Sequence, residues 1–390
     1  MPRTERGAWP VACLALLAAV AALACSGPAT APPSAPAASK PSAPSPTGAP
    51  AAPGATSAPA GAGATVSAAV QPLSPPVQVK VGSVRLVGEA GVFIALAKGY
   101  FTAEGLDVEL VPFRTTNEMT PALATGELAF AQLAPDPSIF NAVNRGIGLK
   151  FVGYSVIISD QDTSGGWVVR QDHLDSGRYQ GPRDLKGMVL PIGGPGGIGQ
   201  VWTERVLAKG GLTLDDVQLT TLTFPDQPAA YAGKSIDAGF LVEPFVSVAE
   251  LQHSARNVMP SGEIYAGVVP FVLSLSPVFE QEQPEAVRRF VTAWLRGQRE
   301  YYRAYIKGET DKAEYNRILS EYTPIHDEAL LVRMASSTIE PNNHMDPRTV
   351  DELQDYFVRY GTQQQKVDLS KVLDPSYGEY AVQRLGPIAP

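Results

Sequence analysis

After Cys25 the chain contains no cysteine, and its other cysteine, Cys13, lies closer still to the N-terminus. The long remainder therefore cannot form a disulfide or hold a metal ion by thiolates. Histidine is also scarce, and the four residues are His173, His253, His326 and His344. They are scattered and show no local metal-ligand spacing, so even His344, which lies near two acidic residues, is interpreted as part of a surface loop. We predict neither a metal nor a cofactor.

Basic charge is in deficit, because 31 Lys and Arg residues face 39 Asp and Glu residues and leave a net charge of -8. No basic run reverses this balance locally, which argues against a nucleic-acid partner. Catalytic signatures are missing too: there is no Gly-x-Ser-x-Gly elbow, P-loop or His-Glu-x-x-His site. Asp215 and Asp216 are neighbours whose side chains diverge, so they indicate a solvated turn and not an acid-base pair. We predict no enzymatic activity.

Long hydrophobic runs are missing apart from residues 11–24, and that run is too short for a comfortable membrane span. Arg3 and Arg6 precede it, and a basic start followed by such a run is typical of a secretory signal. The run ends in Ala22-Leu23-Ala24-Cys25, which resembles the signal of bacterial lipoproteins. The resemblance implies a signal peptide over 1–24 and a lipid anchor on Cys25, in the periplasm or at the cell surface. The alternative is an ordinary cleaved signal, with Cys25 incidental.

Aromatic residues are absent from residues 26–76, and Lys40 is the only charged residue there. The segment consists mainly of Ala, Pro, Ser, Gly and Thr, so it cannot bury enough apolar surface to offset its ordering entropy. We predict a disordered, extended tether over 25–76.

From residue 77 onward, strand patterns alternate with helix patterns. The predicted strands are 79–87, 106–113, 128–133, 149–157, 167–169, 188–192, 217–222, 238–242 and 268–275. Helices are predicted to begin near Val92, Asn117, Pro137, Ile198, Asp226 and Glu243. Such alternation predicts an α/β fold with a parallel sheet covered by helices. The C-terminal third is predicted to be mainly helical, beginning with a helix over 284–307 that stops at Gly308.

The first βαβ pattern of this region begins near residue 79. Val84, Leu86 and Val87 are predicted to end a strand, with Gly88 and Gly91 in the turn that follows. A short helix with an apolar stripe comes next, and Gly99 is placed to end it in the left-handed conformation. The helix N-terminus is expected to point free N–H groups into a cleft.

The same stretch, Phe-Ile-Ala-Leu-Ala-Lys-Gly-Tyr-Phe-Thr-Ala-Glu-Gly-Leu-Asp-Val-Glu-Leu over 93–110, resembles the opening of type II periplasmic solute-binding proteins of ABC importers. The similar group includes aliphatic-sulfonate, taurine, nitrate and thiamin-pyrimidine-precursor binders. The resemblance implies a monomer with two α/β lobes, one formed by 77–160 with 263–390 and the other by 161–262. It implies capture of a small molecule by hinge closure and delivery to a transporter permease. The alternatives are an enzyme or a ligand sensor on the same scaffold.

A glycine-rich stretch, 194–199, fits the pattern G-x-G-x-x-G after a predicted strand and before a predicted helix. In a dinucleotide fold, an acidic residue ends the following strand, but here Asp215 and Asp216 precede that strand. The preferred interpretation is a helix N-terminus that offers N–H groups to a polar ligand. The alternative is a tight turn without a ligand.

Other polar residues fall where predicted strands end and helices begin, and in open α/β sheets ligands bind at such ends. The resembled family also carries a turn like Glu243-Pro244-Phe245 beside its cleft. Asn117, Asp136, Ser138 and Asp226 have a second interpretation as helix N-caps. The predicted ligand-binding residues are Glu89, Gly91, Phe93, Arg114, Asn117, Asp136, Ser138, Trp167, Gly196, Gly197, Ile198, Phe224, Asp226 and Glu243.

The sequence also bears on the charge of the solute. Two helix N-termini and Arg114 suit a sulfonate or nitrate. Glu89, Asp136 and Asp226 lie on the same predicted rim and would repel an anion. Because Trp167, Phe224 and Tyr265 offer stacking faces, we favour a neutral or amine-bearing, pyrimidine-type heteroaromatic solute. An anion of the sulfonate or nitrate type is the alternative.

Overall fold

The computed structural model describes residues 71–334 and 336–389. The predicted signal peptide, Cys25 and all of the predicted tether up to residue 70 lie outside the described residues.

Ten β-strands lie in the described part of the chain. They are β1 (Val77–Ser83), β2 (Leu106–Pro112), β3 (Phe130–Leu133), β4 (Lys150–Val156), β5 (Gly165–Arg170), β6 (Val189–Ile192), β7 (Gln218–Thr221), β8 (Ala238–Val242), β9 (Ala255–Pro260) and β10 (Phe271–Leu275).

Fifteen α-helices lie between and after these strands in the same described ranges. They are α1 (Ala90–Ala97), α2 (Tyr100–Ala103), α3 (Met119–Thr125), α4 (Pro137–Asn144), α5 (Gln171–Asp175), α6 (Ile198–Lys209), α7 (Gln227–Ala232), α8 (Phe245–Leu251), α9 (Ser261–Tyr265), α10 (Pro277–Glu282), α11 (Pro284–Tyr301), α12 (Lys312–Tyr322), α13 (Glu328–Arg333), α14 (Pro347–Arg359) and α15 (Ser376–Leu385). A π-helix, Tyr302–Lys307, continues α11, and short 3-10 helices cover Val87–Glu89, Thr116–Glu118, Pro182–Leu185, Leu214–Asp216, Phe224–Asp226 and Leu369–Lys371.

The larger sheet has five strands in the order β2-β1-β3-β10-β4. β1 pairs in parallel with both β2 and β3. β10 pairs antiparallel with both β3 and β4. The prediction of a uniformly parallel sheet is therefore wrong, because a strand from much later in the chain is inserted between β3 and β4. Periodicity identifies a strand but not its neighbour, so this insertion was not predictable from the pattern.

A second group of strands comes from the middle of the chain. β5 pairs antiparallel with β8 on one side and β9 on the other, and β6 pairs in parallel with β7. β9 was not predicted. Its sequence, Ala-Arg-Asn-Val-Met-Pro, has no run of β-branched or aromatic residues, and its conformation depends on pairing with β5.

The chain passes between the two groups of strands twice. It leaves the five-stranded sheet after β4 and returns to it in β10. The two connecting segments bond to each other, since Ile158 N–H donates to Val268 O over 2.9 Å and Gly267 N–H donates to Ile158 O over 2.7 Å. Paired connections of this kind are where a hinge would flex. The lobe boundaries given above stay a prediction.

The first βαβ region differs from its prediction in its details. β1 ends at Ser83, four residues earlier than predicted. Val84 and Leu86 lie in the irregular segment that follows, and Val87 begins a 3-10 helix. Gly91 lies inside α1 and not in the turn before it. Gly99 does end α1 in the left-handed conformation, with φ +70°, as predicted.

The core of the five-stranded sheet is covered by α11. Phe290 on this helix stacks on Phe130 of β3, with ring centroids 3.9 Å apart, and on Phe101 of α2 at 4.7 Å. The buried residues of α11 include Val287, Phe290, Val291 and Trp294, which recur at steps of three and four residues. The predicted stop is confirmed as well, because Gly308 follows the π-helix with φ +67°.

The folded part begins earlier than the predicted tether end at residue 76. Leu73 N–H donates to Glu104 O over 3.2 Å, and Gln71 O accepts a hydrogen bond from Arg289 Nη1 over 2.5 Å. These contacts hold residues 71–73 against α2 and α11. In the described part of the chain, no helix combines the length and apolar character needed to span a bilayer.

Candidate functional site

A cleft with a volume of about 270 Å³ lies between the five-stranded sheet and the second group of strands. One wall consists of residues that follow β1, β2 and β3, or that lie at the start of β10 and just before it: Val84, Leu86, Arg114, Thr115, Thr116, Asn117, Ala134, Asp136, Pro137, Ser138, Pro270 and Phe271. The facing wall consists of Gly193, Gly194, Pro195, Gly197, Ile198, Gly199, Trp202, Thr223, Phe224, Pro225, Phe240 and Val242. Thr362, from the C-terminal region, completes the lining. Seven predicted binding residues are in this set: Arg114, Asn117, Asp136, Ser138, Gly197, Ile198 and Phe224.

A buried carboxylate lies at the N-terminus of α4. Asp136 Oδ1 accepts hydrogen bonds from the N–H of Ser138 over 2.9 Å and from its hydroxyl over 2.6 Å. Asp136 is therefore an N-cap, and it also lines the cleft. Burial raises the pKa of Asp136 to about 6, although its hydrogen bonds with Ser138 oppose the shift. The cleft thus contains an acceptor that is mainly ionised at neutral pH.

The N-terminus of α6 faces it from the other wall. Its N-cap is Gly197, which has no side chain to satisfy the first N–H groups of the helix. The preceding Gly196 has φ +67°, and its N–H donates to Gln200 Oε1 over 2.8 Å. The first turn of a helix leaves N–H groups without intrahelical acceptors, and here that turn lines the cleft at Ile198 and Gly199. The result is a donor-rich, electropositive end suited to a polar or anionic group.

A charged pair joins the two walls at the mouth of the cleft. Arg114 Nη2 lies 3.6 Å from Asp226 Oδ2, and both side chains are largely exposed. Asp226 Oδ2 also accepts a hydrogen bond from Thr223 Oγ1 over 2.6 Å. Asp226 itself does not line the cleft, but its partner Arg114 does. The pair partly neutralises the charge of Arg114.

Aromatic side chains form the apolar part of the cleft. Trp202 of α6 stacks on Phe240 of β8 with ring centroids 4.1 Å apart and planes 6° from parallel. Phe224 meets Phe240 edge-on at 6.5 Å, and Phe271 faces them from β10. Sequence reasoning identified Phe224 but missed Trp202, Phe240 and Phe271. Trp202 was open to prediction, since it lies four residues after Ile198 on the same face of a helix.

A smaller cavity of about 40 Å³ continues the cleft inward and shares with it Leu86, Trp202, Phe240, Val242, Pro270 and Phe271. Glu243, a predicted site residue, lines this inner cavity and not the main cleft. Its carboxylate accepts hydrogen bonds from the hydroxyl of Ser247 over 2.8 Å and from its N–H over 3.1 Å.

Six predicted site residues lie outside both cavities, and Asp226, described above, is one of them. Phe93 is fully buried and stacks on Tyr322 at 5.3 Å, and Trp167 is fully buried in β5. A side chain on Gly91 would collide with Gln298, so this glycine serves the close packing of α1 on α11. Glu89 Oε1 accepts the N–H groups of Val84 and Leu86 over 3.0 and 3.1 Å. Glu89 therefore supports the cleft wall from behind.

Gly196 packs closely against Thr362. A Cβ atom on Gly196 would lie 2.1 Å from Thr362 Cγ2. Tyr265, expected to offer a stacking face, lies under the guanidinium of Arg205 at 3.8 Å and outside both cavities. The sequence wrongly suggested that these side chains line the cleft, because position along the chain indicates how near a residue lies to the cleft but not where its side chain points.

Within 71–334 and 336–389, no group of three or more His, Cys, Asp or Glu side chains is arranged to hold a metal ion. His173, the buried histidine, bonds to Asp237 at 2.7 Å, and neither residue lines the cleft. The residues that line the cleft can bind and orient a molecule by stacking, by N–H donation and by the Asp136 carboxylate.

Comparison with known proteins places the chain in a family. A model described as the NMT1-like family matches residues 73–313, which is more than half of the chain. The chain belongs to the NMT1-like family. The matched region contains both walls of the cleft and stops before Thr362.

Relatives of this family member include binding proteins. A protein of Bacillus subtilis (strain 168), provisionally named an aliphatic sulfonates-binding protein, is 25% identical over 301 residues, covering 75% of this chain and 85% of that protein. The nitrate/nitrite binding protein NrtA of Nostoc sp. is 22% identical over 245 residues, covering 60% of this chain and 56% of that protein.

Solved structures show the fold. The alkanesulfonate-binding protein SsuA from Xanthomonas axonopodis pv. citri, bound to MOPS, superposes with a TM-score of 0.61 at 18% identity, covering 77% of this chain and 99% of that one. The periplasmic nitrate-binding protein NrtA from Synechocystis PCC 6803 superposes with a TM-score of 0.66 at 15% identity, covering 80% and 89%. The desulfurization enzyme DSZB has the same fold, with a TM-score of 0.57 at 16% identity and coverage of 79% and 99%. This NMT1-like chain therefore has the type II periplasmic binding protein fold, as its opening stretch predicts.

Proposed function

We propose that this protein works outside the cytoplasm, where it binds a small organic solute in the cleft and delivers it to an ABC importer. The observation that carries the proposal is the cleft itself, which is lined from both groups of strands and joins a donor-rich helix N-terminus to an aromatic wall. A cleft of about 270 Å³ suits a small molecule. Relatives named as sulfonate-binding and nitrate-binding proteins support the same role.

The solute that we propose first is a heteroaromatic, pyrimidine-type molecule that is neutral or carries an amine. The stacked pair of Trp202 and Phe240 offers a flat apolar surface to a ring. The carboxylate of Asp136 lines the cleft and would accept a hydrogen bond from an amine or ring N–H. An anion placed beside that carboxylate would be repelled.

An organic sulfonate is the second candidate, because one specific feature favours it. The N-terminus of α6 lacks a capping side chain, and its free N–H groups stabilise an anion. A sulfonate would lie against the glycine-rich turn with its apolar part on the aromatic wall. The relatives support this candidate directly by their names.

A thermal-shift panel separates the two candidates. The purified full chain is mixed with MOPS, octanesulfonate, nitrate, cytosine and the hydroxymethylpyrimidine precursor of thiamin. A solute present at 100 times its dissociation constant stabilises the folded state by about 2.7 kcal/mol. We expect the pyrimidines to raise the melting temperature more than the sulfonates. A shift with sulfonates alone would overturn the first candidate, and no shift with any solute would leave the proposed function unsupported.

Asp136→Asn is the matched variant for this panel. The amide oxygen keeps the cap on Ser138, while the negative charge of the cleft is removed. We expect the affinity for amine-bearing pyrimidines to fall about tenfold, since a hydrogen bond to a charged group is worth more than one to a neutral group. The affinity for sulfonates should rise.

An enzymatic role on the same fold is not favoured by the site. DSZB shows that the fold can support a desulfurization enzyme, but the residues that line this cleft include neither His nor Cys. The lining therefore offers no histidine base and no thiol, and the hydroxyl of Ser138 is engaged with Asp136 in the cap of α4. Incubation of the protein with the solutes that bind, followed by mass spectrometry, should return them unchanged.

A further inference from the structure

The C-terminal segment 347–365 reaches both walls of the cleft, and we call it the strap. It consists of α14 and the six residues that follow it. The strap lies outside the stretch matched by the family model, which ends at residue 313. Thr362 of the strap lines the cleft, between the N-terminus of α4 and that of α6.

The strap is fastened to the wall that contains α4. Asn141 Nδ2 donates to Thr362 O over 2.7 Å, and Asn144 Nδ2 donates to Gln365 O over 2.8 Å. Phe357 of α14 packs against Phe140 of α4 with ring centroids 6.2 Å apart. Phe140 and Phe357 are fully buried, so this side of the strap is part of the core.

The other side of the strap makes polar contacts with α6 and with the turn before it. Thr362 Oγ1 lies within hydrogen-bond distance of Gly196 O, at 3.1 Å, and shares its proton with Phe357 O of the strap itself, at 3.2 Å. Arg359 and the hydroxyl of Tyr360 both bond to the carboxylate of Glu204. These groups are partly or mainly exposed, unlike the core contacts with α4.

A second contact lies at the next residue of α6 and about two turns earlier on α14. Arg205 of α6 pairs with Glu352 of α14, and its guanidinium also lies 5.4 Å from the ring of Tyr356. Both ion pairs, Arg205 with Glu352 and Glu204 with Arg359, therefore join α6 to the strap. Exposed ion pairs of this kind are individually weak, so we expect the contacts with α6 to open more readily than the buried contacts with α4.

We propose that the strap is a latch that holds α6 and its glycine-rich turn against the opposite wall and thereby slows the release of bound solute. The asymmetry between a buried attachment and a polar grip carries this inference, since hinge opening would part the strap from α6 and not from α4. The effect on solute release depends on the proposed function. The contact that holds α6 in place does not. The latch also makes Thr362 a positioning residue for the turn that faces the solute.

The test uses a triple variant of the full chain, Arg359→Gln with Tyr360→Phe and Thr362→Val. These changes remove the ion pair with Glu204 and the hydroxyl donors to Glu204 and Gly196, and they introduce no larger side chain. Arg348→Gln is the matched control, because it removes one positive charge from the same helix at a side chain that is 87% exposed and pairs only within its own turn, with Asp346. Thr362→Val alone serves as a second, milder variant.

Two measurements are made on each protein. The first is amide hydrogen exchange without solute, in peptides that cover residues 193–203. The second is the dissociation rate of two probes, MOPS and the hydroxymethylpyrimidine precursor of thiamin, followed by the fluorescence of Trp202 and the other tryptophans. We expect the triple variant to exchange about tenfold faster and to release the probe that binds about tenfold faster, with a smaller change for Thr362→Val. The control should match the wild type in both.

Each failure has its own signature. Unchanged exchange in the triple variant would show that the strap does not hold α6, and faster exchange with an unchanged dissociation rate would show that it does not retain solute; either result overturns the proposal. If neither probe binds the wild type, the proposed function loses support on that measurement, while the exchange comparison still decides whether the strap holds α6.

Discussion

At the scale of single residues, Glu89 shows how a carboxyl group shapes the cleft without touching it. Its side chain is buried and accepts the N–H groups of Val84 and Leu86, the two residues that bring the chain from β1 along the cleft wall. Those N–H groups lie in an irregular segment with no strand partner. Glu89 takes the place of that partner, so its role is to hold the backbone in position.

The pKa of Glu89 leads to a prediction about stability. Burial raises this pKa from its ordinary value of 4.5 to about 7, against the opposing effect of hydrogen bonds from Ser83 and the nearby backbone. Between these two pH values the folded state binds more protons than the unfolded state, so the free energy of unfolding falls as pH rises. From pH 5 to pH 8 the expected loss is about 2 to 3 kcal/mol from this group.

Glu89→Gln should remove that pH dependence, because the amide oxygen can still accept both N–H groups and carries no charge. Urea denaturation of both proteins at pH 5 and at pH 8 provides the measurement. We expect the difference in stability between the variant and the wild type to move in favour of the variant on going to pH 8. A parallel pH dependence in the two proteins would show that Glu89 ionises normally.

At the scale of elements, α11 is the helix on which the five-stranded sheet depends. Its eighteen residues begin at Pro284, and its apolar stripe covers β3 and α2 through Phe290. Gly297 of the same helix lets α1 approach closely, since a Cβ there would lie 2.1 Å from Gly91 O. The helix thus fixes the position of α1 and, with it, the turn that leads to the cleft.

Phe290→Ala should therefore destabilise the protein by about 3 to 5 kcal/mol, the usual cost of removing a buried aromatic ring from a packed core. Arg288→Ala is the control on the same helix. Arg288 is half exposed, and its loss should change stability by less than about 0.5 kcal/mol. Urea denaturation checks both, and equal effects of the two changes would mean that the stacking of Phe290 contributes little.

At the scale of the whole molecule, location depends on a part of the chain outside the described residues. The sequence before residue 71 combines a secretory signal pattern, Cys25 and a segment without aromatic residues. A protein that collects a solute outside the cytoplasm needs to stay near its transporter, and a lipid on Cys25 followed by an extended tether would keep it there. This arrangement is a prediction from sequence.

Cys25→Ser tests the anchor directly. Expressed in a bacterial host, the variant should appear in the soluble extracytoplasmic fraction, because the thioether-linked lipid cannot form on serine. The wild type should fractionate with membranes. Membrane retention of the variant equal to that of the wild type would contradict lipidation, and solute binding should be the same in both proteins.

The sequence by itself determined the elements that depend on local chemistry. Gly99 and Gly308 follow the ends of their helices as predicted, and both are in the left-handed conformation, which a residue without Cβ adopts at no cost. The type II binding protein fold was also predicted, from one short stretch that resembles the family. The polar residues at strand ends were predicted to gather at a cleft, and the structure brings Arg114, Asn117, Asp136, Ser138, Gly197, Ile198 and Phe224 to it.

Only the tertiary structure decided which side chains face that cleft and which strands are neighbours. Phe93 and Trp167 were predicted to lie at the cleft but are buried in the core. Trp202, Phe240 and Thr362 come from distant parts of the chain and meet at the cleft. The insertion of β10 between β3 and β4 is decided in the same way. The physical reason is that side-chain direction and strand pairing follow from burying apolar surface over the whole fold, and a local pattern carries information only about its own segment.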